Sequence, residues 1–534
     1  MLKGCVAWPE TDAERYRAAG IWTGELLGEI GREGARRHPG RTAVVDAGGR
    51  MTFAELDAAA DRFAAGLHRL GLRAEDRVVV QLPNTAAFVV VALGLFRLGA
   101  VPVFALPSHR EAELTYLARH TEARALVVPD RFGGYDHRPL AATVAASAAG
   151  LDHVIVAGEP GPHLALSEVR DEPRDLPAPD PGDVAFFLLS GGTTGLPKLI
   201  PRTHDDYAYQ LRRSAEALGV DEHGVYLASL PAAHNAALGC PGVLGTLRAG
   251  GRVVLSPTPS PDDVFPLITA EGVTLTTLMP PLLAVWLDLA GDYGVDLSGV
   301  LLEVGGAPLR PEVAREILSR GLRLSHWFGM AEGPLWYTRL DDPPETIATT
   351  QGRPLIPADE YRVVDEHDRD VPPGGVGEFL VRGPTTLRGY YDAPEYNATA
   401  FTADGYLRTG DLVRLTPEGN LMVAGRIKDV INRGGEKIGA AELESQIEAH
   451  PAVRAAAVIA VPDPALGEKI CAVVVRRDEG GGLDLAELRA FLTGRGLAAY
   501  KLPDRLEVVP AFSHTGAGKV DKRALRRSLT GDGA

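Results

Sequence analysis

A chain of 534 residues is longer than one hydrophobic core ordinarily serves, so at least two domains are expected. With 45% hydrophobic and 23% charged residues it has the balance of a globular protein, and 61 Gly with 40 Pro imply many tight connections. The formal charge of -15 opposes general binding to nucleic acid or anionic membranes, so any anion must be gripped by a local site, and Cys5, Cys240 and Cys471 are too few and too widely spaced for a disulfide framework or a CxxC metal site.

The N-terminus reaches Pro9, Glu10 and Asp12 before any sustained apolar run, so it lacks the h-region of a signal peptide, and a reducing cytosol is the expected compartment. Arg77 to Leu82 reads as a strand and Ala86 to Leu98 as a helix, whose apolar stretch stops at Arg97 and is too short to cross a bilayer. Strands follow at Arg124 to Val128 and, after an acidic, Pro-rich surface connection from Asp171 to Asp183, at Val184 to Leu189. Up to about residue 425 this is the alternation of a large α/β layered architecture. After Gly377 short strands at Glu378 to Arg382, Gly405 to Arg408 and Leu421 to Ala424 suggest a small β-rich subdomain. Beyond Arg426 a helix at Ala441 to His450, strands at Ala455 to Ala460 and Lys469 to Val475, and a helix at Leu485 to Arg495 read as a second domain. Asn397-Ala398-Thr399 matches a glycosylation sequon, which carries no weight without secretion.

Ser190-Gly191-Gly192-Thr193-Thr194-Gly195-Leu196-Pro197-Lys198 follows directly on the buried 184 to 189 strand, at the sheet edge where α/β proteins bind ligands. Glycines let backbone N–H groups approach phosphate oxygens, hydroxyls add donors and the lysine supplies charge. Any four of these residues alone would read as an ordinary turn. The string lacks Walker A spacing, and no G-x-G-x-x-G follows a strand, so neither a P-loop ATPase nor a dinucleotide oxidoreductase is implied.

This loop resembles the signature of the adenylate-forming (AMP-binding) superfamily, which includes acyl-CoA synthetases, adenylation domains of peptide synthetases and firefly-type luciferases. Phe328-Gly329-Met330-Ala331-Glu332, Thr409-Gly410-Asp411, Gly425-Arg426-Ile427-Lys428-Asp429 and Gly518-Lys519 follow in the expected order. The resemblance implies an α/β fold with a large N-terminal adenylation domain over 1–427, built from two βα-layered subdomains and a small β-barrel-like one. A small mobile α+β domain over 428–534 would carry the catalytic lysine. It implies ATP and Mg²⁺ as cofactors, with Glu332 as the metal ligand and Thr194 orienting the same cluster, a hard carboxylate suiting a hard cation. Ser190 to Gly195 and Lys198 would hold the phosphates. Phe328, with Gly329, Met330 and Ala331 after it, would lie against the adenine, and the Gly305-Gly306-Ala307 backbone would bond its edge, although both segments also fit core packing. Asp411 would accept from the ribose diol with Arg426 in support. Lys428 would be the hinge, Gly434-Gly435 the loop presented in the second half-reaction, and Lys519 would bridge the acid's carboxylate and the α-phosphate.

Within the superfamily the chain is most similar to stand-alone aryl-acid AMP ligases of siderophore biosynthesis, the salicylate-AMP ligases above all. The likeness lies in Trp8-Pro9 with Arg15-Tyr16 and Trp22, in His234-Asn235 with Cys240-Pro241-Gly242, and in Phe328 to Glu332 with Tyr337-Thr338-Arg339. It implies that His234 borders the acid tunnel, that Asn235 bonds a 2-hydroxyl, and that an aryl carrier protein's phosphopantetheine receives the product. Dihydroxybenzoate enzymes have serine in place of Cys240 and valine in place of Leu335, so salicylate is preferred to 2,3-dihydroxybenzoate. An aromatic normally stands at Ala236, and its loss, together with Gly239, is expected to open volume and keeps 6-methylsalicylate as an alternative. An aryl-CoA ligase shares every ATP-binding feature and stays open, whereas a non-enzymatic scaffold should have lost Lys519, Glu332 or Asp411.

Overall fold

The computed structural model describes residues 2–530 apart from 191–196, 308, 434–435, 465, 478–481, 496 and 516–518. The chain separates into two compact units, one formed by residues 1–360 with 382–407 and the other by 361–381 with 408–534.

Among the described residues the first unit contains a nine-stranded and a seven-stranded sheet. In the larger, Val225–Ala228, Arg252–Leu255, Leu275–Leu278, Leu301–Gly305 and Arg323–Gly329 run parallel, as strands linked by helical crossovers must. Period-two alternation divides its faces. Leu227, Leu278, Leu302, Val304 and Leu324 turn to a core with Phe265 and Trp286. Thr277, Glu303 and Ser325, level with one another across three strands, make the opposite face polar.

In the smaller sheet Val184–Leu189 pairs antiparallel with Leu199–Thr203 and parallel with Val101–Phe104. The helix Ala86–Leu98 has the expected bounds and touches strands of both sheets, which is why it is apolar nearly all round. It stops at Gly99, whose φ of 73° ends a helix without the strain a side chain would bring. Thr203 begins the helix His204–Leu218 through a capping box with Asp206, so the strand Leu199–Thr203 passes directly into a helix. Trp8, Tyr16 and Trp22 pack edge-to-face at 5.0–6.0 Å, and Trp22 Nε1 donates to the Pro384 carbonyl at 3.2 Å.

The second unit holds most of a four-stranded sheet, Glu360–Val364, Gly377–Arg382, Leu407–Leu415 and Leu421–Arg426. The strand expected at Gly405 starts later, because Gly405, at φ 85°, donates back to the Thr402 carbonyl and closes a turn. A five-stranded sheet follows, in which Val453–Asp463 and Gly467–Arg476 pair along their whole length. The helices Ala440–Glu448 and Leu485–Gly494 supply Leu443, Ile447, Leu488 and Leu492 to its core. Among the described residues no helix is long and apolar enough to cross a membrane.

Candidate active site

The loop expected to hold phosphate is tied at its base. Ser190 N–H donates to the Lys198 carbonyl at 2.9 Å, and Lys198 N–H donates to Ser190 Oγ at 3.0 Å. Gly191, Gly192, Thr193, Thr194 and Gly195, expected to hold phosphate, lie outside the described residues. The Lys198 ammonium sits 3.9 Å from the centroid of the Tyr396 ring, a cation–π contact. Tyr396 meets Tyr390 edge-on at 5.1 Å, and the Tyr390 hydroxyl donates to Glu332 Oε1 at 2.9 Å. Asn397, the sequon asparagine, bonds both the N–H and the carbonyl of Tyr390 at 2.9 Å, so its amide is committed to placing that tyrosine. Lys198 and Glu332 are thus joined through two tyrosines that no spacing rule singled out.

Phe328 and Gly329 end the strand Arg323–Gly329, and the chain turns at once, Met330 N–H donating to the Pro334 carbonyl at 3.2 Å. Gly333, at φ 128°, has the Thr385 carbonyl oxygen 2.0 Å from where a Cβ would lie, so only glycine lets the turn close. Leu387 N–H donates to the Glu332 carbonyl at 2.8 Å, and Arg202 donates to that of Ala331 at 3.0 Å, which fixes the loop from two sides. Glu332 is 7% exposed. Among the described residues no three or more His, Cys, Asp or Glu side chains gather. One hard carboxylate still suits Mg²⁺, which keeps waters and phosphate oxygens as its other ligands, so the residues present fit an ATP-borne ion. Gly305 and Gly306 leave the neighbouring strand where a Cβ would meet the Trp327 ring at 2.4 Å and Met279 Sδ at 2.9 Å. Ala307, next in line, and Phe328 are both half-buried.

Several of the residues expected to meet the acid lie on or at the ends of the short helix Asn235–Gly239. His234 Nδ1 accepts from Ala236 N–H at 3.3 Å, so in the neutral ring the proton is on Nε2. Asn235 Oδ1 accepts from the Tyr207 hydroxyl at 2.9 Å, and Asn235 Nδ2 donates to Cys240 Sγ at 3.6 Å. An amide has two N–H groups and two lone pairs, so one of each remains beyond these bonds. Burial pushes the Cys240 thiol well above its usual range, so it keeps its proton, and its sulfur accepts from Asn235 Nδ2 and Gln210 Nε2. The expectation that Gly239 adds volume is corrected here: its missing side chain is replaced by the Tyr207 hydroxyl, 2.1 Å from the Cβ position. Leu335 packs over Gly329 in the same way, 2.4 Å from where a Cβ would lie. Ala236 is buried. Behind Cys240, the Tyr226 hydroxyl donates to Thr277 Oγ1 at 3.1 Å and Thr277 donates to Glu303 at 2.7 Å. Burial raises the Glu303 carboxyl to about 8. Sequence reading missed Glu303, because a single acid within an apolar strand gives no motif.

In the second unit Thr409-Gly410-Asp411 occupies the strand Leu407–Leu415, opposite Arg426. Arg426 Nε donates to Asp411 Oδ1 at 2.8 Å, while Oδ2 is buried without a hydrogen-bond partner. Burial raises the Asp411 carboxyl, opposed by the charges of Arg426, Lys519 and Lys428 in that order. Lys519 is exposed and shares two bonds with Thr515, at 3.3 and 2.7 Å. Lys428 is exposed on the turn Ile427–Asp429 between two strands. Gly434, Gly435 and Gly518 lie outside the described residues.

A partner-less buried carboxylate oxygen is costly unless a ligand supplies donors, and a ribose diol supplies two. With a two-sheet α/β unit carrying the hairpin of Val184–Leu189 with Leu199–Thr203 and a smaller unit carrying Asp411 and Lys519, this is the fold of an adenylate-forming enzyme. The chain belongs to the AMP-binding enzyme family, which matches residues 31–391, and the C-terminal domain of AMP-binding enzymes matches 442–519. It is 54% identical to a 2,3-dihydroxybenzoate-AMP ligase of Bacillus subtilis over 99% of this chain and 98% of that one. It is 48% identical to a salicyl-AMP ligase / salicyl-S-ArCP synthetase of Mycobacterium tuberculosis over 99% and 95%. The apo structure of Mycobacterium smegmatis MbtA superposes with a TM-score of 0.76 at 49% identity, covering 98% and 99%. The resemblance read from the motifs is borne out at the level of family and branch.

Proposed function

We propose that the protein is a ligase that activates an ortho-hydroxylated benzoate, salicylate by preference, with ATP. The acid's carboxylate attacks the α-phosphorus, aryl-AMP forms and pyrophosphate leaves. A phosphopantetheine thiolate of an aryl carrier protein then attacks the acyl carbon, and AMP leaves. The observation that carries the reading is Asn235: a buried amide held by Tyr207 and Cys240, with one N–H and one lone pair left to meet a phenolic hydroxyl. The 2,3-dihydroxybenzoate-AMP ligase and the salicyl-AMP ligase that the chain resembles are named for the same class of acid, which supports the reading.

Each residue then has a task. A carboxylate is already nucleophilic, so positioning and charge neutralisation supply the acceleration and no triad is needed. Asp411 accepts from the ribose hydroxyls, Arg426 holds it, and Lys519 neutralises charge as the carboxylate meets the α-phosphate. Glu332, with Thr194, would hold Mg²⁺, which would offset the charge of the phosphates. Tyr390 holds the Glu332 carboxylate in place. His234 borders the acid, and Leu335 with Cys240 disfavours a 3-hydroxyl. Residues 428–534 turn about Lys428 between the half-reactions and present Gly434-Gly435 to the thiol.

Pyrophosphate exchange over salicylate, 6-methylsalicylate, 2,3-dihydroxybenzoate and benzoate tests the acid. Salicylate should lead and benzoate trail, and equal rates for those two would remove the role given to Asn235. Loading of a carrier protein against CoA tests the acceptor, with the carrier expected to win.

A further inference from the structure

The acid-binding helix and the loop carrying Glu332 are joined through one buried guanidinium. Arg202, on the strand returning from the phosphate loop, is 0% exposed. Its Nη1 donates to the Ala331 carbonyl at 3.0 Å, one residue before Glu332. Its Nη2 donates to Gln210 Oε1 at 2.9 Å, and its Nε donates to Asp206 at 2.8 Å. Gln210 Nε2 donates to the Gly239 carbonyl at 2.9 Å and to Cys240 Sγ at 3.6 Å, the sulfur that also takes the Asn235 N–H. On a second path, the guanidinium lies 4.8 Å from the centroid of the Tyr207 ring, whose hydroxyl donates to Asn235. Arg202, Gln210, Cys240, Asn235 and Tyr207 therefore close a ring of contacts, and one of its members also holds the Ala331–Glu332 backbone.

A guanidinium is planar and its donors point in fixed directions, so a partner that shifts on one edge is felt on the others. Asp206 anchors the third edge, so Arg202 can respond by tilting while keeping its charge paired. We infer that Arg202 and Gln210 are positioning residues that couple recognition of the acid's ortho substituent to the setting of the Glu332 loop, making acid and nucleotide bind cooperatively. The inference rests on the proposed role of Asn235. A packed, hydrogen-bonded ring favours discrete arrangements over gradual yielding, which is what coupling between two sites requires.

The test is a binding cycle on the full chain by titration calorimetry. It measures salicylate alone, α,β-methylene-ATP with Mg²⁺ alone, and each in the presence of the other. In the parent each ligand should tighten the other by the same factor, within the range of about 5- to 150-fold usual for coupled sites. Benzoate, without an ortho group, should show little coupling. Gln210→Leu cuts the acid-side edge and leaves Arg202 on Asp206 and Ala331. Its nucleotide affinity measured alone should stay at the parent value while the coupling factor falls toward one, a pattern that a general loss of packing would not give. Tyr207→Phe, which cuts only the second path, should lose part of the coupling. A parent with no coupling, or a folded Gln210→Leu that keeps all of it, overturns the inference. If Gln210→Leu does not fold, full coupling in Tyr207→Phe overturns it and reduced coupling supports it. Failure of every aryl acid in pyrophosphate exchange would overturn the proposed function instead, so the two failures are distinguishable.

Discussion

Replacing Asp411 with asparagine should weaken nucleotide binding while leaving the acid untouched. In the structure one carboxylate oxygen takes the Arg426 N–H at 2.8 Å, and the other is buried without a partner. An asparagine keeps its carbonyl for Arg426 and turns an uncharged NH₂ toward the ribose, which accepts from neither hydroxyl and can only donate to one of their lone pairs in a neutral hydrogen bond. One hydrogen bond to a charged group is worth about 1.5–3 kcal/mol, so the affinity for ATP should fall about 10- to 150-fold. Stability should change little, because the asparagine carbonyl still accepts from Arg426, whose side chain is 36% exposed and keeps its water. The assay is ATP binding to parent and Asp411→Asn, repeated with 2′,3′-dideoxy-ATP. The parent should prefer ATP strongly and the variant should scarcely distinguish the two. A variant that prefers ATP as strongly as the parent would show that Asp411 does not meet the ribose.

Arg202→Met should cost about 3–5 kcal/mol, since it leaves the buried Asp206 carboxylate unpaired, and should show as a marked fall in the thermal midpoint; a change too small to resolve would contradict the pairing. Cys240→Ser puts a hydroxyl where a sulfur now accepts two amide N–H groups, and one new hydrogen bond of about 0.5–1.5 kcal/mol should raise the kcat/KM ratio of 2,3-dihydroxybenzoate to salicylate by about 2- to 10-fold. Glu303 has its carboxyl raised from 4.5 to about 8, so the folded state retains a proton that the unfolded state releases above 4.5. Its contribution therefore declines as pH rises between these values, with a limiting slope of about 1.4 kcal/mol per pH unit, and levels off above. Denaturation of the parent and Glu303→Gln at pH 5.5 and 7.5 should show the parent losing more stability than the variant over that interval, and parallel losses would contradict the assignment.

The fold was largely legible in the sequence because nearly continuous apolar runs bounded by polar residues or glycine mark its buried elements: Ala86–Leu98 and Val184–Leu189 have the expected bounds. Where an end was misjudged, as at Gly405, a local turn set the boundary against an apolar pattern that ran through it. The site was legible wherever chemistry demands a contiguous string, as in Phe328 to Glu332 or Thr409 to Asp411. The residues that hold those strings were not. Arg202, Tyr207 and Gln210 lie at helical and hairpin spacings that read as ordinary polar positions, and the partners that tie them to Ala331, Asn235 and Gly239 are 28 to 129 residues away. Tyr390 reaches Glu332 across 58 residues. Gly239 shows the same limit from the other side: a missing side chain reads as space, and only the folded chain puts the Tyr207 hydroxyl there.

The most direct measurement of the central claim is the rate of each half-reaction in Lys519→Ala. Aryl-AMP formation from salicylate and ATP should fall by about 10²-fold or more, the usual consequence of removing one group that stabilises developing charge. Transfer from supplied salicyl-AMP to the carrier thiol should continue near the parent rate. Aryl-AMP formation at the parent rate, or equal loss of both steps, would contradict the account.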